Sequence, residues 1–178
     1  MTEIDITGPR TLLGYHSTSK VVPSSLIIDL PTTTWRVILR KVVPVAAGDV
    51  LDVAGWFKVT NNVGYNVGVG AHLWGYDVDD GLGAARTEAH WWRLDPDPDA
   101  GSAGMNVTPD MHHLTLSAGE GYVVPDTWPA GHRIVIALRA DAHSTAWDRD
   151  GDGRAEDSLV VDPCGRLRVR RYASPATA

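Results

Sequence analysis

Two stretches in the first half of the chain alternate apolar and polar residues with a period of two, and that alternation narrows the possible folds more than any other feature. In residues 49–60, Leu51, Val53, Phe57 and Val59 fall on one side, while Asp52, Ala54, Trp56, Lys58 and Thr60 fall on the other. In residues 65–74, Tyr65, Val67, Val69, Ala71 and Leu73 share a side. Successive side chains of a strand leave opposite faces, so both stretches have the pattern of half-buried strands. Asn61-Asn62-Val63-Gly64 between them tolerates positive φ, which predicts a long antiparallel hairpin at the centre of a sandwich. Gly68 and Gly70 lie on the other face of the second strand. Their bare positions invite another backbone or a ligand to come close.

The same period recurs along the chain. Trp35, Val37 and Leu39 oppose Arg36, Ile38 and Arg40 until Pro44 stops the run. Leu114 and Leu116 point inward, Gly119-Glu120-Gly121 reads as a turn, and Tyr122 to Val124 resumes. Ile134, Ile136 and Leu138 mark the most apolar strand, and residues 158–161 and 165–172 close the pattern. Residues 87–94 read as a strand. Residues 95–101 read as a surface loop, because Pro96 and Pro98 lack the donor a central ladder needs. No segment keeps a helical period over three turns. The expected fold is all-β, a jelly-roll-like antiparallel β-sandwich of roughly eight to ten strands. The sandwich spans 34–173, and 174–178 form a short tail. Residues 1–33 form either a first hairpin or an N-terminal arm that reaches onto a neighbouring subunit.

Composition excludes several classes. A chain of 178 residues buries roughly 70% of its unfolded surface, so it folds without disulfide or metal. Its single cysteine, Cys164, allows no intrachain disulfide. Lys plus Arg is 16 against 22 for Asp plus Glu, a net charge of -6. That argues against a dedicated nucleic-acid binder, whose affinity comes from neutralising phosphates. The acidic start, Met1 to Asp5, precedes no long apolar run, so neither a signal peptide nor a membrane span is expected. No Gly-x-Ser-x-Gly elbow and no Gly-rich phosphate loop is present, and Asp79-Asp80 alone does not make a glycosidase. A non-enzymatic protein is expected.

Three residue sets are candidates for function. Asp148, Asp150 and Asp152, followed by Gly153, match the first half of a calcium loop. Ca²⁺ takes several oxygens at once and the glycine allows the sharp bend, with Glu156 or Asp157 as a further ligand. Leu159 stands where the EF-hand pattern has Glu, and the alternative is a solvated acidic turn. Seven tryptophans form the second set. Trp56 and Trp74 lie opposite the apolar stripes of their strands, and Trp91-Trp92 must put one ring on each side. These rings face a subunit contact, a sugar, or a second covered core. His72 and His113 belong with them, since the dispersed histidines show no zinc spacing. Third, Arg166, Arg168 and Arg170 alternate with Leu167 and Val169 as an edge strand would.

Three segments carry a resemblance: GDVLDVAGWFKVTNNVGYNVGVGAHLW, NVTPDMHHLTLSAGEGYVVPDTWPAGHRIVIALRADAHSTAW and DPCGRLRVRRY. Together they resemble small virion proteins of tailed phages of actinobacteria, of the head-decoration or minor-tail type. The resemblance implies a leaderless acidic β-sandwich, assembled in the host cytoplasm and carried on the virion. It implies docking on a major capsid or tail protein, with a homotrimer as the expected assembly. It carries over no catalytic residue. Head decoration is preferred over the tail because the chain shows no tether or coiled coil. The competing expectation is a host-surface adhesin, a carbohydrate-binding module that stacks surface glycans on tryptophan and holds calcium in the acidic loop.

Overall fold

The computed structural model describes residues 11–18, 26–30, 35–94, 105–109, 111, 114–144 and 157–174. Ten strands run in chain order as β1 (Leu12–Thr18), β2 (Ile27–Leu30), β3 (Arg36–Val45), β4 (Val50–Thr60), β5 (Val67–Asp77), β6 (Trp92–Arg93), β7 (Met105–Val107), β8 (Leu114–Val123), β9 (His132–His143) and β10 (Asp157–Tyr172). They form two antiparallel sheets. One has the order β1-β10-β4-β8, with β2 also on β10; the other has the order β3-β9-β5-β6, with β7 also on β5. From β2 onward the chain changes sheet at every connection except those within β5-β6-β7, which is the winding of a jelly roll. The all-β sandwich expected from the alternation is the fold.

The core lies between the sheets. Leu51, Val53, Phe57 and Val59 of β4 are fully buried against Ile134, Ile136 and Leu138 of β9 and Leu73 of β5. Each such side chain contributes about 1.5–3 kcal/mol through removal from water. Alternation along β4 is complete, with Asp52, Ala54, Trp56, Lys58 and Thr60 on its outer side.

Several local expectations are corrected. β4 and β5 do not form a hairpin; they belong to different sheets. Residues 61–66 make an arch over the core, pinned by buried Asn61. Its amide donates to the carbonyls of Tyr65 (3.0 Å) and Val107 (2.8 Å), and its Oδ1 accepts from the Val63 N–H (2.9 Å). Two strands with inward stripes satisfy the same sequence pattern whether they lie side by side or face each other. Residues 87–94 are not a strand: a 3₁₀ turn at Glu88–His90 leads into the two-residue β6.

Gly119-Glu120-Gly121 is no turn. β8 runs unbroken through it, in register with β4 over Val50–Val59, because both glycines fall on the outer side where no side chain is needed. Residues 157–172 form one strand rather than two, with a register shift between Val161 and Gly165. There a Cβ on Gly165 would sit 2.9 Å from the Trp56 carbonyl oxygen, so the close approach requires glycine. Finally, β1 and β2 do not pair with each other. β1 lies along 167–172 and β2 along 157–160 of β10. The described part of 1–33, expected as a hairpin or an arm, thus lies in the sheet of its own chain.

Candidate functional site

The two outer faces of the sandwich differ. The segment 78–94 packs on the β5 and β9 part of the outer face of the β3-β9-β5-β6 sheet, while Val42 on β3 stays 47% exposed. The anchor of this segment is Arg139 of β9, with no solvent exposure at all. One guanidinium nitrogen donates to both Glu88 carboxylate oxygens (2.6 and 2.7 Å) and to the Trp35 carbonyl (3.1 Å). The guanidinium also sits 4.8 Å from the Trp74 ring and 4.5 Å from the Trp91 ring. Arg86 repeats the device over Tyr76 at 4.1 Å. His72, only 3% exposed, meets the Trp35 ring edge-on at 4.7 Å, and its Nδ1 lies 2.7 Å from an Arg93 nitrogen. Gly70 leaves the room that the Asp141 carboxylate and the His72 ring take up.

Trp91, at the end of the 3₁₀ turn, and Trp92, the first residue of β6, leave on opposite sides. Trp91 packs on Tyr76 at 4.5 Å outside the sheet, while Trp92 turns inward between Tyr122 and Trp128 and lies over Gly75. The structure therefore gives Trp74, Trp91, Trp92 and His72, expected to face a subunit or ligand, partners within the chain. The anchoring pair, Arg139 and Glu88, was not singled out from sequence. Its signal was a charge at an outer position in the middle of the most apolar strand, between the outer charges of Arg133 and Asp141.

Among the described residues, no segment of the chain packs over the outer face of the other sheet. A groove of about 440 Å³ lies on it, with Trp56, Ala54, Ser117, Gly119, Arg166 and Arg168 in its lining. Strand register sets these residues in two rows: Ser117-Trp56-Arg166, and beside it Gly119-Ala54-Arg168. Trp35, Trp74, Trp91, Trp92 and Trp128 each touch another ring or a guanidinium. Trp56 alone among the described tryptophans has no such contact. Arg170 pairs with Asp52 at 3.3 Å and Arg171 with Asp49 at 2.5 Å. Arg166 reaches only the Tyr15 hydroxyl (2.9 Å). The buried Nε of Arg168 has no acceptor. No described carboxylate pairs with Arg166 or Arg168.

A third cluster joins the end of β5 to the start of β9. Ligand atoms of Asp77, Asp79 and His132 lie within 4.8 Å of one another, and His132 Nε2 is 2.7 Å from Asp77 Oδ1. Arg133 grips the Asp79 carboxylate through its backbone N–H (2.8 Å) and its guanidinium (2.5 and 3.1 Å). Those side-chain hydrogen bonds, then the backbone one, hold the Asp79 carboxyl below the usual carboxylate range. Arg133 already supplies the positive charge a cation would bring, so the cluster works as a latch between strands.

Asp148, Asp150, Asp152, Glu156 and His113 lie outside the described residues. Calorimetry with calcium on the wild type and Asp150→Ala decides the acidic loop; no heat from either protein removes the site. Among the described residues no helix is long and apolar enough to cross a membrane.

No protein-family model matches the chain, and no curated protein matches it. Solved structures similar to it include a chain of the T13 viral particle of infectious bursal disease virus. That chain is 12% identical at a TM-score of 0.49, over 88% of this chain and 31% of that one. The VP2 subviral particle of the same virus is 11% identical at a TM-score of 0.44, over 93% of this chain and 35% of that one. The chain spans about a third of the length of these solved chains.

Proposed function

We propose that the chain is a non-enzymatic structural protein of a virion exterior, a head-decoration subunit that docks by strand addition. The observation that carries this reading is the edge of β8. This ten-residue strand ends its sheet and is straight and fully in register with β4. Its outer edge has no strand partner among the described residues. A long regular edge presents a row of backbone donors and acceptors to another chain, and proteins that avoid such pairing blunt the edge with Lys, Pro or bulges. Leu114–Val123 contains no Lys and no Pro, and its one charge, Glu120, lies on the inner side. The resemblance to virion proteins of actinobacterial phages supplies the setting. The same edge serves a homotrimer or a contact with the major capsid protein.

The test is mass in solution together with co-sedimentation on purified capsids, for the wild type and for Thr115→Lys/Gly121→Lys. Both positions are exposed on β8, and a Cβ at Gly121 meets nothing within 4 Å, so the variant folds. The wild type binds particles and the charged edge loses binding at least ~10-fold. A monomer that sediments with no particle sinks the proposal. Labelling of whole virions separates head from tail, a minor tail protein being the outcome if the label falls there.

A further inference from the structure

We propose that the groove over Trp56 is a binding site for acidic sugars, with the indole stacking on a sugar ring and Arg166 and Arg168 taking its carboxylate. This site lies on the face of the sheet and shares Ser117 and Gly119 with β8, the strand whose edge is proposed to dock, so variants at Trp56 and Arg168 test it separately.

The indole comes first. A tryptophan side chain is the largest apolar surface a residue offers, and folding ordinarily spends it on packing. Every other described tryptophan follows that rule. Trp56 instead makes no ring or guanidinium contact and stands half-buried on a sheet face, with Arg166 on one side, Ser117 on the other, and Ala54 and Gly119 in the next row. Small residues on the adjacent row keep the space beside the indole clear. A cavity of about 440 Å³ falls in the range of small-ligand sites, about 300–1,000 Å³, and suits one or two sugar units.

The charge comes next. The chain as a whole is at -6, and its other arginines on this strand are matched to Asp52 and Asp49. Arg166 and Arg168 are not matched, and they sit in the two rows of the groove, Arg166 directly beside Trp56. A guanidinium presents a planar fork of donors that fits a carboxylate. The buried, unpaired Nε of Arg168 costs stability until an acceptor arrives. Ser117, on the far side of Trp56 in the same row, adds a hydroxyl that can donate to or accept from a sugar hydroxyl.

Other anionic ligands fit less well. A peptide strand takes its hydrogen bonds from a sheet edge, and β4, the strand that carries Trp56 in the middle of the groove, is already paired on both sides. A nucleic acid needs an extended basic track to release counterions, and here the track ends at the Arg170–Asp52 pair. The ligand class is therefore a sugar bearing a carboxylate, such as a uronic acid.

The test is titration calorimetry on the full chain with four probes: a glucuronic-acid disaccharide, the uncharged glucose disaccharide of the same linkage, hexaglutamate and oligothymidylate. The uronic-acid probe binds saturably and the neutral sugar at least ~10-fold more weakly. Trp56→Ala and Arg168→Gln each lose at least ~10-fold, Trp56→Phe retains part of the affinity, and particle co-sedimentation is unchanged. Gly119→Val gives a second route, since its Cβ meets only ordinary contacts (Val53 O at 3.7 Å) while its branches fill the groove. It too loses binding with its melting curve intact. No saturable heat with the uronic acid overturns the proposal. So does hexaglutamate or oligothymidylate binding as tightly, or unchanged affinity in folded Trp56→Ala or Gly119→Val.

Discussion

Arg139 is an expensive residue to bury, and its neighbours offset part of that cost while its Nε and Nη1 have no acceptor. Two indoles flank the guanidinium and Glu88 neutralises it, which ties 78–94 to the sheet. Removing one member of a buried pair costs about 3–5 kcal/mol, and the half-exposed Glu88 carboxylate (51%) is screened by solvent, so Glu88→Gln is expected to cost about 1–3 kcal/mol in urea unfolding. Gly75 makes a second point. A Cβ there would stand 2.9–3.0 Å from the Trp92 indole, which Tyr122 and Trp128 hold in place. Gly75→Ala is therefore predicted to lose about 1–3 kcal/mol by overpacking, seen as a lower denaturation midpoint. Asp79 gives a pH dependence. Its folded carboxyl lies below the ordinary value, so its contribution is present above that value and fades as pH falls through the folded one. Asp79→Asn should be less stable than the wild type at neutral pH, the gap closing below about pH 4. A constant gap across pH would remove Arg133 as the cause.

At the scale of elements, the arch at 61–66 shows how turn chemistry misleads. Asn61 does what a turn asparagine does, accepting from the N–H two residues on. Its amide then reaches the Val107 carbonyl across the fold, and only this long-range bond marks an arch. Asn61→Ala leaves that carbonyl and two other buried groups unpaired. A loss of about 1–3 kcal/mol is expected, with faster amide exchange at Val63 as the local signature. β8 carries the converse lesson. Two glycines around a charge look like a turn, yet Gly119 and Gly121 sit on the outer face of a straight strand, where the missing side chains open the groove beside Trp56. The outward position of Trp56 was legible, because alternation alone places it. Its isolation was not, because that depends on Arg166 and Ser117 arriving from β10 and β8.

Over the whole molecule, the 78–94 segment packs on part of one outer face, and no described segment does the same on the other. Ring contacts, the Arg139 anchor and the 78–94 segment close the β5 and β9 part of the outer side of the β3-β9-β5-β6 sheet. The β8-β4-β10-β1 sheet keeps a groove on its face and, among the described residues, a strand edge without a partner, and both proposals belong to this half. The sequence by itself determined the all-β class and the inward and outward sides of the long strands, since a period of two is a local property of side chains. Only the tertiary structure decided which strands pair, which tryptophans are covered and which stays open. Backbone hydrogen bonds are the same for every residue, so partner choice comes from how the assembled stripes fill one core.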